Sequence, residues 1–171
     1  QDPSASLDPR MTIGSAIAPR AAIDAQNNAT VVWFQKSGTQ ANESPFSSRF
    51  TASTSSWSTS AGSALAAAAS SVKFALDASG NGVAVWLQGA NLLARSYTRS
   101  TGAWSAAVTL NSSGTTASAP HISMSATGGY GLATWIESGN VAARVILNGT
   151  WQGTGPSAIE SATGTVATPA G

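Results

Sequence analysis

The chain says nearly the same thing three times. "DAQNNATVVWFQ", Asp24 to Gln35, returns as "DASGNGVAVWLQ", Asp77 to Gln88, and again as "SATGGYGLATWIE", Ser125 to Glu137. Trp33, Trp86 and Trp135 mark the end of the motif. A second Trp series (Trp57, Trp104, Trp151) and an Arg series (Arg49, Arg95, Arg144) run in step with them. Each motif opens five residues after Pro19, Val72 or Pro120. A period of about 50 residues is that of a propeller blade, a unit that buries its apolar face by stacking on a neighbour.

One period reads as four short strands. Val72–Asp77 alternates apolar and polar residues, and "ASGN" is a turn whose Gly and Asn tolerate positive φ. Gly82–Gln88 is rich in β-branched residues and Trp, Leu92–Thr98 alternates again, and Trp104–Leu110 reads as a fourth strand. The linker Asn111–Ala119 leads to the next period. Tight turns between successive strands make an antiparallel meander. In the first period the turn after Gln35 expands, and in the third Gly and Pro interrupt the strand after Trp151. Only "AGSALAAAASS" has helical propensity, and it has no amphipathic stripe.

The pattern carried by Asp77, Gly80, Asn81, Val85, Trp86, Arg95, Tyr97 and Trp104 resembles a repeat of secreted bacterial β-propeller-like proteins. The resemblance spans roughly Pro19 to Pro169; the third copy departs from it, with Ser125 and Gly129 in place of the Asp and the Asn. It implies an all-β fold of three four-stranded antiparallel propeller-type blades. Such proteins usually carry more than three repeats, and a closed propeller has typically 4–8 blades. The expected architecture is therefore an incomplete ring, completed by other subunits. The expected divisions are a 1–18 N-terminal arm or partial strand, then repeats at 19–71, 72–119 and 120–171.

The ends bear on the same point. Met11 to Pro19 reads as the tail of a fourth strand plus a linker, and Ser157 to Pro169 has the same shape. Open sheet borders are templates for another chain. Three outcomes follow: two copies close a ring, more copies run on head to tail as a filament, or the chain is a fragment of a longer propeller. The leading expected partner is another copy of this chain, with Gln1–Ala18 as a candidate for strand addition and, for residues 1–10, a disordered leader as the equal alternative.

Composition narrows the function classes. Charged residues are 9% of the 171, the net charge is +1, and no basic stripe suggests nucleic acid. There is no cysteine, hence no disulfide framework or thiolate site. No apolar run reaches the ~18–20 residues of a membrane span. Low charge with many Ala, Ser, Thr, Gly and Asn fits a secreted or cell-surface protein. The chain begins without Met, as either a signal-peptidase cut or an expression boundary would leave it.

No catalytic constellation is legible. His121 is the single His, no G-x-S-x-G elbow occurs, and the seven acidic residues do not recur at equivalent positions, apart from Asp24 and Asp77. Those two precede turns, where Asp caps backbone N–H groups. "DASGNG" offers too few ligands for calcium. No metal, cofactor or enzymatic activity is expected. The candidate binding residues are Arg49, Trp57, Arg95, Trp104, Arg144 and Trp151. An exposed Trp beside an Arg suits sugar, the ring stacking on C–H faces while the guanidinium donates hydrogen bonds. The opposing expectation is that these residues recur because they pack within each repeat. Four N-x-[ST] sequons occur, at Asn28, Asn42, Asn111 and Asn148. The leading expectation is a self-assembling structural or adhesive subunit; the second is a lectin built as an oligomeric propeller.

Overall fold

The computed structural model describes residues 16–36, 43–58 and 69–159. Among them the protein is all-β, with three antiparallel sheets in succession along the chain. The first holds β1 (Ala16–Ile23), β2 (Ala29–Lys36), β3 (Glu43–Thr51) and β4 (Ser56–Trp57). A short 3₁₀ turn, Ala52–Thr54, precedes β4. The second holds β5 (Ser70–Leu76), β6 (Gly82–Gln88), β7 (Asn91–Thr98) and β8 (Ala103–Trp104), with β9 (Val108–Thr109) also on β7. The third holds β10 (Ala117–Met124), β11 (Tyr130–Glu137), β12 (Asn140–Leu147) and β13 (Thr150–Trp151), with β14 (Ser157–Ala158) also on β12.

The fourth strand departs from expectation. Trp104–Leu110 is not one strand: β8 pairs with Tyr97 and Thr98, and β9 with Leu93 and Ala94. Between them a serine takes over from the ladder. Ser105 N–H donates to Ser96 C=O at 2.8 Å, and Ser105 Oγ accepts Ser96 N–H at 3.0 Å. Ser58 holds Arg49 in the same way in the first sheet, at 2.7 and 3.1 Å. A side chain that satisfies the neighbouring backbone competes with strand pairing, so the strand breaks there.

The opening strands begin earlier than expected, upstream of Pro19, Val72 and Pro120. Ala16 to Ala18 belong to β1 rather than to the tail of a fourth strand, and Ala117 to Ala119 belong to β10 rather than to a linker. In each sheet the pairing shifts at one place, between Ile17 and Arg20, Ser70 and Lys73, and Ser118 and His121. The residue before Pro19, Val72 or Pro120 has positive φ there: Ala18 at 51°, Ser71 at 55°, Ala119 at 47°. An extra residue in the left-handed region is a β-bulge, and pairing resumes on its far side. The expectations for the expanded turn after Gln35, the Ala-rich run, most of the N-terminal arm and most of the C-terminal segment fall outside the described residues.

The sheets pack in chain order. Val32 and Phe34 of β2 meet Val72, Ala84 and Trp86 of the second sheet. On the opposite face of β6, Val83 and Val85 join Leu92, Ala94 and Leu110 against Ala117, Ile122, Ala133, Trp135, Ala142 and Ile146. Successive strand residues point to opposite faces, so residues 83–87 of β6 are apolar because the strand is covered on both. Each of the two boundaries thus joins the forward face of one sheet to the rear face of the next. The turns before β2, β6 and β11 are also linked in series. Ala25 N–H donates to Ala78 C=O at 3.2 Å, and Ala78 N–H donates to Ala126 C=O at 3.1 Å.

Candidate functional site

The first two turns are built by their carboxylates. Asp24 Oδ1 accepts N–H bonds from Gln26 and Asn28, both at 2.9 Å. Asp77 Oδ1 does the same for Ser79 and Asn81, again at 2.9 Å. The amide of Asn28 or Asn81 bonds back to the Asp, and its Oδ1 accepts the N–H of Ala52 or Arg99 at the end of the third strand. This is the backbone-capping arrangement that Asp favours in turns. Ser125 makes only a 3.4 Å bond to Thr127 N–H in the third turn.

Asp24 does more than Asp77. Its Oδ2 lies 3.4 Å from Arg49 Nη2, on β3, and 3.5 Å from Arg99 Nε, in the turn after β7. Burial by itself would raise the Asp24 carboxyl, but the Asn28 and Gln26 hydrogen bonds and the charge of Arg99 bring it below its usual 3.8. Gly80 lets the second turn come this close. Its φ is +82°, and a Cβ there would stand 2.5 Å from Asp24 Oδ2 and 2.9 Å from Arg99 Cδ. Arg49 Nη1 also donates to Tyr97 Oη at 3.2 Å. The two Arg line an open cleft of about 640 Å³ with Asn28, Thr51, Ser53, Ser79, Asn81 and Ser100.

The Arg series does not hold in three dimensions. Arg95 and Arg144 pair with Ala84 and Ala133, two residues before Trp86 and Trp135. Arg49 pairs with Thr30, three before Trp33, so its equivalents are Ser96 and Val145. The bond from the residue after each second-series Trp agrees: Ser58, Ser105 and Gln152 donate to the carbonyls of Arg49, Ser96 and Val145. One residue of offset turns a side chain to the other face of a strand. Arg49 therefore faces forward, toward the second sheet, while Arg95 faces rearward with Trp86 and Leu93. Arg144 caps its own sheet edge, donating to Gly153 C=O at 2.7 Å.

The second Trp series is half-buried and packed. Trp57 lies on Phe50, Trp104 lies between Phe74 and Tyr97 and donates to Ser47 Oγ at 3.0 Å, and Trp151 lies against the second core. Trp33, Trp86 and Trp135 are buried. Trp33 Nε1 donates to Gln35, and Trp135 Nε1 to Glu137 Oε2 at 2.8 Å. The spacing Trp-x-Gln/Glu recurs in all three motifs and marks this bond in the first and third, whereas Trp86 Nε1 in the second is buried without a partner among the described residues. Glu137 Oε1 also accepts from Ser112 N–H and Thr115 Oγ1, anchoring the linker between the second and third sheets. Burial alone would raise the Glu137 carboxyl, but the Ser112, Trp135 and Thr115 bonds bring it below its usual 4.5. Asn28 and Asn111 are buried in such networks, Asn148 is exposed, and Asn42 lies outside the described residues.

The forward face of the third sheet is the remaining candidate. Leu132 is the equivalent of Val83, and Val145 of Ser96. Val83 and Ser96 are 1% and 7% exposed, whereas Leu132 and Val145 are 41% and 39%. Tyr130 beside them is 53% exposed. His121, paired with Thr134, and Ser123, paired with Leu132, extend this face and are exposed. At the same end Ala126 N–H, the next donor in the turn series, has no partner among the described residues; nor has Ala25 C=O, the acceptor at the other end.

Among the described residues no three His, Cys, Asp or Glu converge as a metal site requires, and no helix is long and apolar enough to cross a membrane. The chain matches no protein-family model, and no curated protein shows significant similarity to it.

Proposed function

We propose that the chain is a non-enzymatic structural or adhesive subunit, secreted or on the cell surface, whose sheets are propeller-type blades. It assembles by adding a sheet from another copy at its open end, as a ring or a filament. The observation that supports this is the bare forward face of the third sheet, at positions whose counterparts in the second are covered by the next sheet. The Ala126 N–H and Ala25 C=O, without partners among the described residues, are the complementary ends of one bond series, so a second copy is the matching occupant. Composition supports the extracellular setting. The Trp series does not favour the lectin reading, since its rings are half-buried and packed among neighbouring side chains.

Magnitude shapes the form of assembly. Burying a few large apolar side chains contributes about 1.5–3 kcal/mol each, while association costs on the order of 4–15 kcal/mol. One such contact is weak, and a closed ring or a long array supplies the rest through effective concentration. The chain has no cysteine, so Val145→Cys places a single reactive label on this face. Cross-linking through that position, with rings or filaments in negative-stain electron micrographs, is the expected result. Labelled chains that never cross-link, in a field of single particles, would end the proposal.

A further inference from the structure

We infer that the cleft between the first two sheets binds an oxyanion, a carboxylate or sulfate carried on a polyhydroxylated ligand. This goes beyond assembly, because the cleft lies within one chain.

Two Arg meet at the boundary between these sheets: Arg49 from the forward face of the first and Arg99 from the turn after β7. Against them stand two carboxylates. Asp77 is spent on its own turn, bonded to Ser79, Asn81 and the Asn81 amide. Asp24, 2% exposed at its side chain, receives four bonds from its own turn and shares its Oδ2 between two guanidiniums at 3.4 and 3.5 Å. These ion pairs are long for charge-assisted bonds, which run about 2.7–2.9 Å when strong. The guanidiniums are thus held in place but not neutralised. The side chains of Arg49 and Arg99 are 20% and 34% exposed, so both remain open to a ligand.

The lining is hydroxyl and amide: Asn28, Thr51, Ser53, Ser79, Asn81 and Ser100. A planar guanidinium fork suits carboxylate or sulfate, and the surrounding hydroxyls and amides suit a ligand rich in hydroxyl groups. Of the six second-series and Arg-series positions only Arg49 lines this cleft; Arg99 and Asp24 are outside that set.

Calorimetric titration of the whole chain with polygalacturonate, dextran sulfate and neutral dextran tests the inference. Binding of either acidic polymer, and none of dextran, is expected; the acidic polymer that binds identifies carboxylate or sulfate. Arg99→Gln should weaken binding about tenfold or more, the loss of one charge-assisted hydrogen bond. Ser100→Asp, an exposed change at the rim, should weaken it as well. Arg144→Gln removes the same charge at a site away from the cleft and should change binding less than about twofold. Leu132→Asp should bind normally, which separates this site from assembly. Failure of both acidic polymers to bind would overturn the inference, as would equal losses in Arg99→Gln and Arg144→Gln.

Discussion

The forward faces of the second and third sheets carry equivalent positions in opposite circumstances. In the second sheet Val83, Val85, Leu92 and Ala94 are sealed under β10 and its neighbours. In the third sheet Leu132 and Val145 lie open. The sequence of each face reflects its surroundings only in part. The third sheet keeps Leu132, Ile136, Val141 and Val145 on its forward side, as though a further sheet were to follow. Isolated surface apolar residues are ordinary, but a face that is covered in one repeat and bare in the next identifies where the stacking rule is unfinished.

The strongest way to break the comparison is to put one charge on each face. Val83→Asp buries an unpaired carboxylate and should cost about 5 kcal/mol, enough to unfold much of the chain. Leu132→Asp, at the equivalent position, should change the stability of the single chain by less than about 0.5 kcal/mol. Urea denaturation of both variants at low concentration decides this; equal losses would mean that the third face is covered in the free chain. The rear faces sharpen the same contrast. Trp86→Ala and Trp135→Ala should each cost about 3–4 kcal/mol, since both rings are buried against the preceding sheet. Unequal thermal unfolding shifts would show that the two inter-sheet boundaries are not alike.

A smaller effect concerns the boundary between the second and third sheets. The Glu137 carboxyl sits below its usual 4.5 in the folded chain. Its contribution is therefore complete above that value and is lost as pH falls through the lower folded value. The melting temperature should fall on acidification below pH 4.5, less steeply in Glu137→Gln; an identical slope in that variant would contradict the role given to this side chain. The smallest effect is at the bulges. Ala119→Gly relieves a positive φ and should stabilise the chain by no more than about 1 kcal/mol, because glycine also loses more freedom on folding. A clear destabilisation, read by the urea midpoint, would place the alanine methyl in a contact of its own.

Much of the fold is legible in the residues themselves, and the reasons separate what is readable from what is not. The strand β6 can be read within its own seven residues, because β-branched residues and Trp without polar alternation require cover on both faces. The Asp24 and Asp77 turns are equally local. The break at Ser105 is not, since it depends on Ser105 reaching the backbone of Ser96 across the sheet. The bulges are hidden because Ala and Ser do not announce a left-handed backbone as Gly does. The Arg series fails for a related reason: spacing counted through loops does not preserve the parity of a strand, and a slip of one residue puts Arg49 opposite Arg95. Arg99 went unnoticed because its partner, Asp24, lies in a different repeat.

Sedimentation velocity of the intact chain, beside Leu132→Asp over a wide concentration range, bears most directly on the open forward face. The account predicts species heavier than the 17.0 kDa chain for the wild type, growing with concentration, and a single species of that mass for the variant. A wild type that stays at one chain's mass at every concentration would contradict it.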